Sequence, residues 1–326
     1  MAATISTGSL PGEETVRALV TAAHAESLGV HTGLVATYIP QLAEADPDAC
    51  AVSVVSVRGR SVEVGDIGER FSIQSVSKPF VLALACDALG ADVTRDRLGA
   101  NATGMPFNSV MAVELNEQRT MNPMVNAGAI AATSLLVDAG GDREAGWVLV
   151  RDGLSRFAGR DLVIDEEVYD GETRTNVRNH GIAHLLHSYG RVLGDPDVAT
   201  DVYTRQCSLS VDTHDLAVMA ATLADGGVNP VTGERVVQED TCAKVLAVMA
   251  TAGLYERTGD WLWDIGLPGK SGVSGAIVTV SPGKGGLATW SPRLDAAGNS
   301  VRGQLITRRL SIDLGLNIFA SRAVDE

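Results

Sequence analysis

The sequence predicts an α+β fold, in which one antiparallel sheet is built from both chain ends and a large helical lobe is inserted between them. Three observations lead to it. Valine-rich segments at 51–57 and 61–64 read as strands near the start of the chain. Two further strand-like segments, 276–280 and 287–290, stand near its end. Between them, from about Asp92 to Met249, the apolar pattern is mainly helical.

Each element has a local reason. Residues 13–28 read as a helix with Val16, Leu19, Val20 and Ala23 on one face. Residues 33–43 read as a second helical piece, broken near Pro40. The segments 51–57 and 61–64 flank Arg58-Gly59-Arg60 and predict a hairpin. Residues 71–74 are short and extended and feed into 75–89, whose length and apolar content predict a buried helix. In the middle, 145–157, 178–193 and 213–224 are the clearest helices, and Asp225-Gly226-Gly227 is a stop signal after the last of them. The strands 276–280 and 287–290 are joined by a glycine-rich turn at 282–286, and 301–314 closes the chain as a helix. No repeat or low-complexity linker interrupts this order. A ligand pocket is expected between the two lobes.

Composition narrows the function classes. A chain of 326 residues can bury most of its apolar surface without a disulfide or metal staple. Its formal charge of −14 repels nucleic-acid phosphates and anionic lipid headgroups, so neither nucleic acid nor membrane is expected as a partner. The same charge keeps a protein soluble and predicts no particular substrate. Cys50, Cys86, Cys207 and Cys242 are widely spaced without a Cys-x-x-Cys pair, which argues against a zinc knuckle or a thioredoxin-type site. Cys86 follows an apolar run and reads as a buried reduced thiol. Residues 1–11 do not pattern as a signal peptide, and no apolar run is long enough to span a membrane, so a cytoplasmic protein is expected.

The sharpest chemical signal is Ser75-Val76-Ser77-Lys78. At a helix start, Ser-x-x-Lys sets two side chains one turn apart on one face. Serine needs a base to take its proton, and a lysine can be that base if burial favours its neutral form. The helix N-terminus adds positive potential near a developing oxyanion. Pro79 is tolerated in a first helical turn. Alone, the motif is weak, and Ser72 nearby leaves the nucleophile open. Lys270-Ser271-Gly272-Val273, leading into the strand 276–280, is the second signal. Penicillin-recognising serine enzymes pair Ser-x-x-Lys with such a Lys-[Ser/Thr]-Gly triplet, whose strand edge gives an N–H to the oxyanion and whose lysine adds positive charge.

From about Gly33 to Asn317 the sequence resembles the serine-dependent glutaminases of the bacterial and mitochondrial type. The strings that carry the resemblance include Tyr38-Ile39-Pro40-Gln41-Leu42, Gln74-Ser75-Val76-Ser77-Lys78-Pro79 and Asn122-Pro123-Met124-Val125-Asn126-Ala127-Gly128-Ala129-Ile130. Others are Met219-Ala220-Ala221-Thr222-Leu223-Ala224 with Gly226-Gly227-Val228-Asn229-Pro230, Gly266-Leu267-Pro268-Gly269-Lys270-Ser271-Gly272-Val273, Trp290-Ser291-Pro292 and Gly298-Asn299-Ser300.

The resemblance implies a β-lactamase/DD-peptidase-like fold with a single catalytic domain over 1–326. Its sheet lobe would cover about 1–75 and 262–326, and its helical lobe about 76–261. It implies hydrolysis of L-glutamine by Ser75, with Lys78 as base, Tyr255 relaying protons, Tyr38 beside the nucleophile, and the N–H groups of Ser75 and Val273 as oxyanion hole. Asn126, Glu172, Asn179, Tyr203 and Tyr255 match the family's substrate-contacting positions. Glutamine is a zwitterion: Glu172 suits its ammonium, and Asn126, Asn179 and Tyr203 can donate to its α-carboxylate. No cofactor or metal is implied, and a homo-oligomer, dimer or tetramer, is. The stretch 171–179 departs from the family's usual string at Gly171 and Val177, while keeping the Glu172 to Asn179 spacing.

Some features are set aside. His180, His184 and His187 share a helical face, but no carboxylate motif accompanies them and a surface face is the simpler reading. Pro282-Gly283-Lys284-Gly285-Gly286 lacks the order of a phosphate loop and reads as a strand turn. Trp261 and Trp263 either pack or shape the pocket mouth. Two other readings remain beside glutaminase: a penicillin-interacting acylase or β-lactamase, and a non-catalytic scaffold on this fold.

Overall fold

In the computed structural model, which describes residues 8–320, the main sheet has five strands in the order β2 (Ser61–Gly65), β1 (Ala51–Ser56), β8 (Gly285–Trp290), β7 (Ala276–Ser281) and β6 (Gly269–Ser271), with every neighbouring pair antiparallel. The hairpin is β1 (Ala51–Ser56) and β2 (Ser61–Gly65). A second small sheet, not foreseen from the sequence, joins β3 (Phe71–Ser72), β4 (Val163–Ile164) and β5 (Leu209–Val211) in the order β3-β5-β4. The C-terminal part supplies β6 (Gly269–Ser271), β7 (Ala276–Ser281) and β8 (Gly285–Trp290). Both ends of the chain therefore meet at the β1–β8 seam, where Val52 pairs with Thr289 and Val54 with Leu287.

Strands β1, β7 and β8 are buried at every residue, which is why they read as near-continuous apolar runs rather than as an alternation. Val52, Val54, Ile277 and Leu287 face one way and pack with Val16 and Val20 of the helix Glu13–Ser27 and Ile306 and Leu310 of the helix Val301–Asp313. The alternate residues Val55, Val278, Val280 and Ala288 enter the large core that continues into the helical lobe. There the helix Thr213–Ala224 crosses β8 so closely that a Cβ at Gly286 would lie 2.3 Å from the Ala217 carbonyl oxygen.

Several expected boundaries shift. Residues 33–43 are not a broken helix: only Pro40–Ala43 is helical. Gly33 takes φ 93° and Leu34 pairs with Leu294, so tertiary pairing overrides the apolar pattern. Only Phe71–Ser72 of the extended feed is strand. The helix expected over 75–89 opens instead as a 3₁₀ turn, Gln74–Ser77, and becomes α-helical at Lys78–Leu89. The helix expected over 178–193 runs Val177–Ser188. Lys270 and Ser271 form their own edge strand, β6, before the turn into β7. All four cysteines are buried and unbridged. Among the described residues no helix is long and apolar enough to cross a membrane.

Candidate active site

Ser75 sits in the 3₁₀ turn Gln74–Ser77, next to β6 and the helical lobe, and is 8% exposed. Gln74 before it adopts φ 49°, a left-handed conformation that costs a non-glycine residue about 1–3 kcal/mol. A buried web holds this turn. The Ser77 hydroxyl donates to the Gln74 carbonyl at 2.7 Å, the Gln206 amide donates to the Ser77 hydroxyl at 2.8 Å, and Thr133 donates to the Gln206 oxygen at 3.0 Å. The strain at Gln74 is thus fixed from the core side by residues on two helices.

One turn on, Lys78 is 1% exposed. Its Nζ donates to Asn126 Oδ1 at 2.6 Å and lies 3.5 Å from the Met124 carbonyl oxygen. Lysine carries only donors, so Asn126 must turn its oxygen to Nζ. The Asn126 amide then donates to Asn179 Oδ1 at 3.0 Å, and the Tyr203 hydroxyl donates to Asn126 Oδ1 at 3.4 Å. Burial pushes the Lys78 ammonium down to about 8, against smaller upward pulls from Cys207 and Glu172. Asn126 reaches this place because it opens the helix Asn126–Gly140, whose start is clamped: a Cβ on Gly128 would lie 2.2 Å from the Met121 and Asn122 carbonyl oxygens.

Glu172 is 7% exposed and accepts from Gln74 Nε2 at 3.2 Å; the same amide donates to Ser72 Oγ at 3.2 Å. Burial raises its carboxyl to about 7, while Gln74 and Lys78 pull it back. Its neighbour Gly171 packs against Gln41, and a Cβ there would lie 2.2 Å from Gln41 Oε1. A side chain at 171 would therefore require the Gln41 amide to move.

Tyr255 is buried and takes φ 58°. Its phenol is pushed above the ordinary range, first by burial, while the Ser75 and Ser271 hydroxyls beside it act in the opposite sense. Lys270 is fully buried, with Nζ 4.1 Å from the Tyr255 ring centroid and donating to the Ser271 carbonyl at 2.6 Å. Burial, then the charge of Lys78, hold Lys270 well below the ordinary lysine range. The charge that sequence reasoning gave this lysine is thus disfavoured by its burial and by Lys78.

A cavity of about 180 Å³ joins the pieces. Ser75, Asn126, Glu172, Asn179, Tyr203, Tyr38 and Val273 all line it; Lys78 and Tyr255 do not. Tyr38 is 53% exposed, yet its hydroxyl is pushed well above the usual value by burial and by Glu172. Among the described residues, neither the Ser75 nor the Val273 backbone N–H donates to a protein acceptor. Gln74, Phe107, Asn108 and Arg178 also line the cavity and were missed by sequence reasoning. Gln74 had one usable signal, its place directly before Ser75.

The set-aside features fall elsewhere. His180 and His184 both meet Asp197 Oδ1, at 2.7 and 3.0 Å, on a partly exposed face. Among the described residues no cluster of three or more His, Cys, Asp or Glu side chains is arranged to hold a metal. Trp261 is buried and donates to the Leu267 carbonyl, Trp263 is 90% exposed, and neither lines the cavity.

The family model described as Glutaminase matches residues 33–319. Glutaminase 2 of Yersinia pestis is 55% identical over 322 residues, covering 99% of this chain and 94% of that protein. The solved structure titled Probable glutaminase ybaS is 42% identical, with a TM-score of 0.93 over 95% of this chain and 100% of that one. Mglu in its glutamate form is 37% identical, with a TM-score of 0.89 over 94% of this chain and 70% of that one.

Proposed function

The chain belongs to the glutaminase family and hydrolyses the side-chain amide of L-glutamine to L-glutamate and ammonia, and we propose that it does so through an acyl-enzyme on Ser75. The two enzyme readings left by the paired motifs resolve to this one. The observation that carries the mechanism is the buried Lys78 with its ammonium pushed down to about 8, one helical turn from Ser75.

In this mechanism neutral Lys78 takes the Ser75 hydroxyl proton as Oγ bonds to the amide carbon. The free N–H groups of Ser75 and Val273 receive the oxyanion. As the C–N bond breaks, Tyr255 passes a proton to the leaving nitrogen, which departs as ammonia. Water then attacks the ester and gives its proton back through the same groups, releasing glutamate and Ser75. Glu172 pairs with the substrate ammonium, and Asn179, Tyr203 and Asn126 receive the α-carboxylate. Asn126 has a second task, since its oxygen already holds Lys78. Peptide-linked glutamine would leave Glu172 without a cation, which the buried site penalises.

The test uses turnover and labelling together. Wild-type protein should release ammonia and glutamate in equal amounts from glutamine, and 6-diazo-5-oxo-L-norleucine, the ligand named for a probable glutaminase of Bacillus subtilis, should modify Ser75. The Ser75→Ala variant should lose on the order of 10³-fold or more in kcat while still binding glutamine. Near-normal turnover by the variant would remove Ser75 from the nucleophile role.

The two lobes act in this reading as one catalytic unit in a cytoplasmic homo-oligomer. Four unbridged cysteines support a reducing compartment. Exposed Trp263, Ile312 and Phe319 support burial against another copy.

A further inference from the structure

A cavity of about 430 Å³, separate from the one that holds Ser75, opens beside β3 and β8. Five carboxylates line it: Glu44, Asp46, Asp66, Glu69 and Asp165. Three of them accept one backbone N–H each, from Asp48, Cys50 and Val168, and none of the five is in an ion pair among the described residues. Arg70 is the lining cation, and it is drawn to Asp212 at 3.4 Å and Asp215 at 3.6 Å. The cavity thus presents a surplus of negative charge.

Its inner wall is aromatic and polar. Phe71 and Trp290, both largely buried, stack with ring centroids 5.0 Å apart and planes 3° from parallel. Ser274, 5% exposed, also lines the wall, and its hydroxyl has no hydrogen-bond partner. Aromatic rings and carboxylates together favour an organic cation over an anion or a neutral polar molecule. Among the described residues no three of these carboxylates are grouped to hold a metal ion, so separate ammonium groups fit them better than one metal ion.

We propose that this cavity is a second ligand site for a small organic di- or polyammonium ion, with charged ends among Glu44, Glu69 and Asp165 and its alkyl stem along Phe71 and Trp290. The site touches the catalytic machinery at two places. Ser72, in its wall, accepts from the Gln74 amide that also holds Glu172. Ser274, in the same wall, directly follows Val273. Occupancy therefore bears on both the ammonium end and the oxyanion end of the glutamine site.

Spermidine binding to the full-length protein, measured by calorimetry without glutamine, tests this independently of turnover. Saturable one-to-one binding should weaken by about tenfold or more in a Glu44→Gln/Glu69→Gln double variant. A Asp92→Asn/Asp96→Asn variant, which removes two charges from an exposed helix elsewhere, should bind as the wild type does. Absence of saturation, unchanged affinity in the first variant, or equal weakening in both would overturn the proposal, the last because it reports only the net charge of the protein.

Discussion

Lys78 Nζ and Asn126 Oδ1 lie 2.6 Å apart, which ties the candidate base to the first residue of a helix 48 positions further along the chain. The contact orients the ammonium but supplies no opposite charge. Burial therefore still dominates, and Lys78 is held at about 8.

That pair sets a pH dependence. A lysine base works in its neutral form, so kcat/KM should rise as pH increases through about 8. Asn126→Asp would put a carboxylate against Nζ, favour the charged lysine and move the limb upward by about one unit or more. Lys270→Met should leave the limb in place, because burial rather than Lys270 lowers Lys78. A pH profile whose limb ignores Asn126→Asp would detach Lys78 from the base role.

Glu172 gives a linked prediction for binding and stability. Its carboxyl stands at about 7, so glutamine affinity should fall as pH drops below that value and the carboxylate is protonated. Glu172→Gln should raise KM far more than it lowers kcat. For stability, the folded value lies above the ordinary value of 4.5. The native state holds this proton longer than the unfolded chain, so the favourable contribution is full below about 4.5 and is lost as pH rises through about 7. At pH 8, Glu172→Gln should therefore stabilise the free enzyme by up to roughly 2–3 kcal/mol, and at pH 4 by little. Thermal melts at the two pH values check the sign; a destabilised variant at pH 8 would contradict it.

Tyr255→Phe keeps the ring against Lys270 and removes the hydroxyl beside Ser75. Loss of a proton relay should lower kcat by about 10²–10⁴-fold with the fold intact. Unchanged kcat with an unchanged melting temperature would leave Tyr255 a packing residue.

Gly171→Ala drives a methyl into Gln41 Oε1. The displaced atom ends a flexible side chain, so the cost should stay near about 1 kcal/mol or less. Gln41→Ala in the same chain should recover most of that loss and any change in KM. A double-mutant cycle measures the coupling; simple additivity would mean that Gln41 does not shape the Glu172 loop.

By itself the sequence determined the elements that local chemistry encodes. The hairpin around Gly59, the capped helix Thr213–Ala224 and the strands flanking 282–286 were legible because periodicity and turn residues act over a few positions. Ser75 and Lys78 were legible as a pair because one helical turn fixes their separation. Resemblance, rather than spacing, pointed to Asn126, Glu172, Asn179 and Tyr203, since nothing local marks a residue that acts only after distant segments meet.

Tertiary structure decided the rest. The apolar pattern of 33–43 was overruled because Leu34 pairs with Leu294, and the three-stranded sheet escaped notice because strands of two or three residues have too few positions to show a period. Which way burial moves each lysine, how Gln74 bridges Ser72 and Glu172, and which distant side chains line one cavity depend on distances across the fold. Charge states follow from desolvation and from neighbours within a few ångströms, and folding creates both.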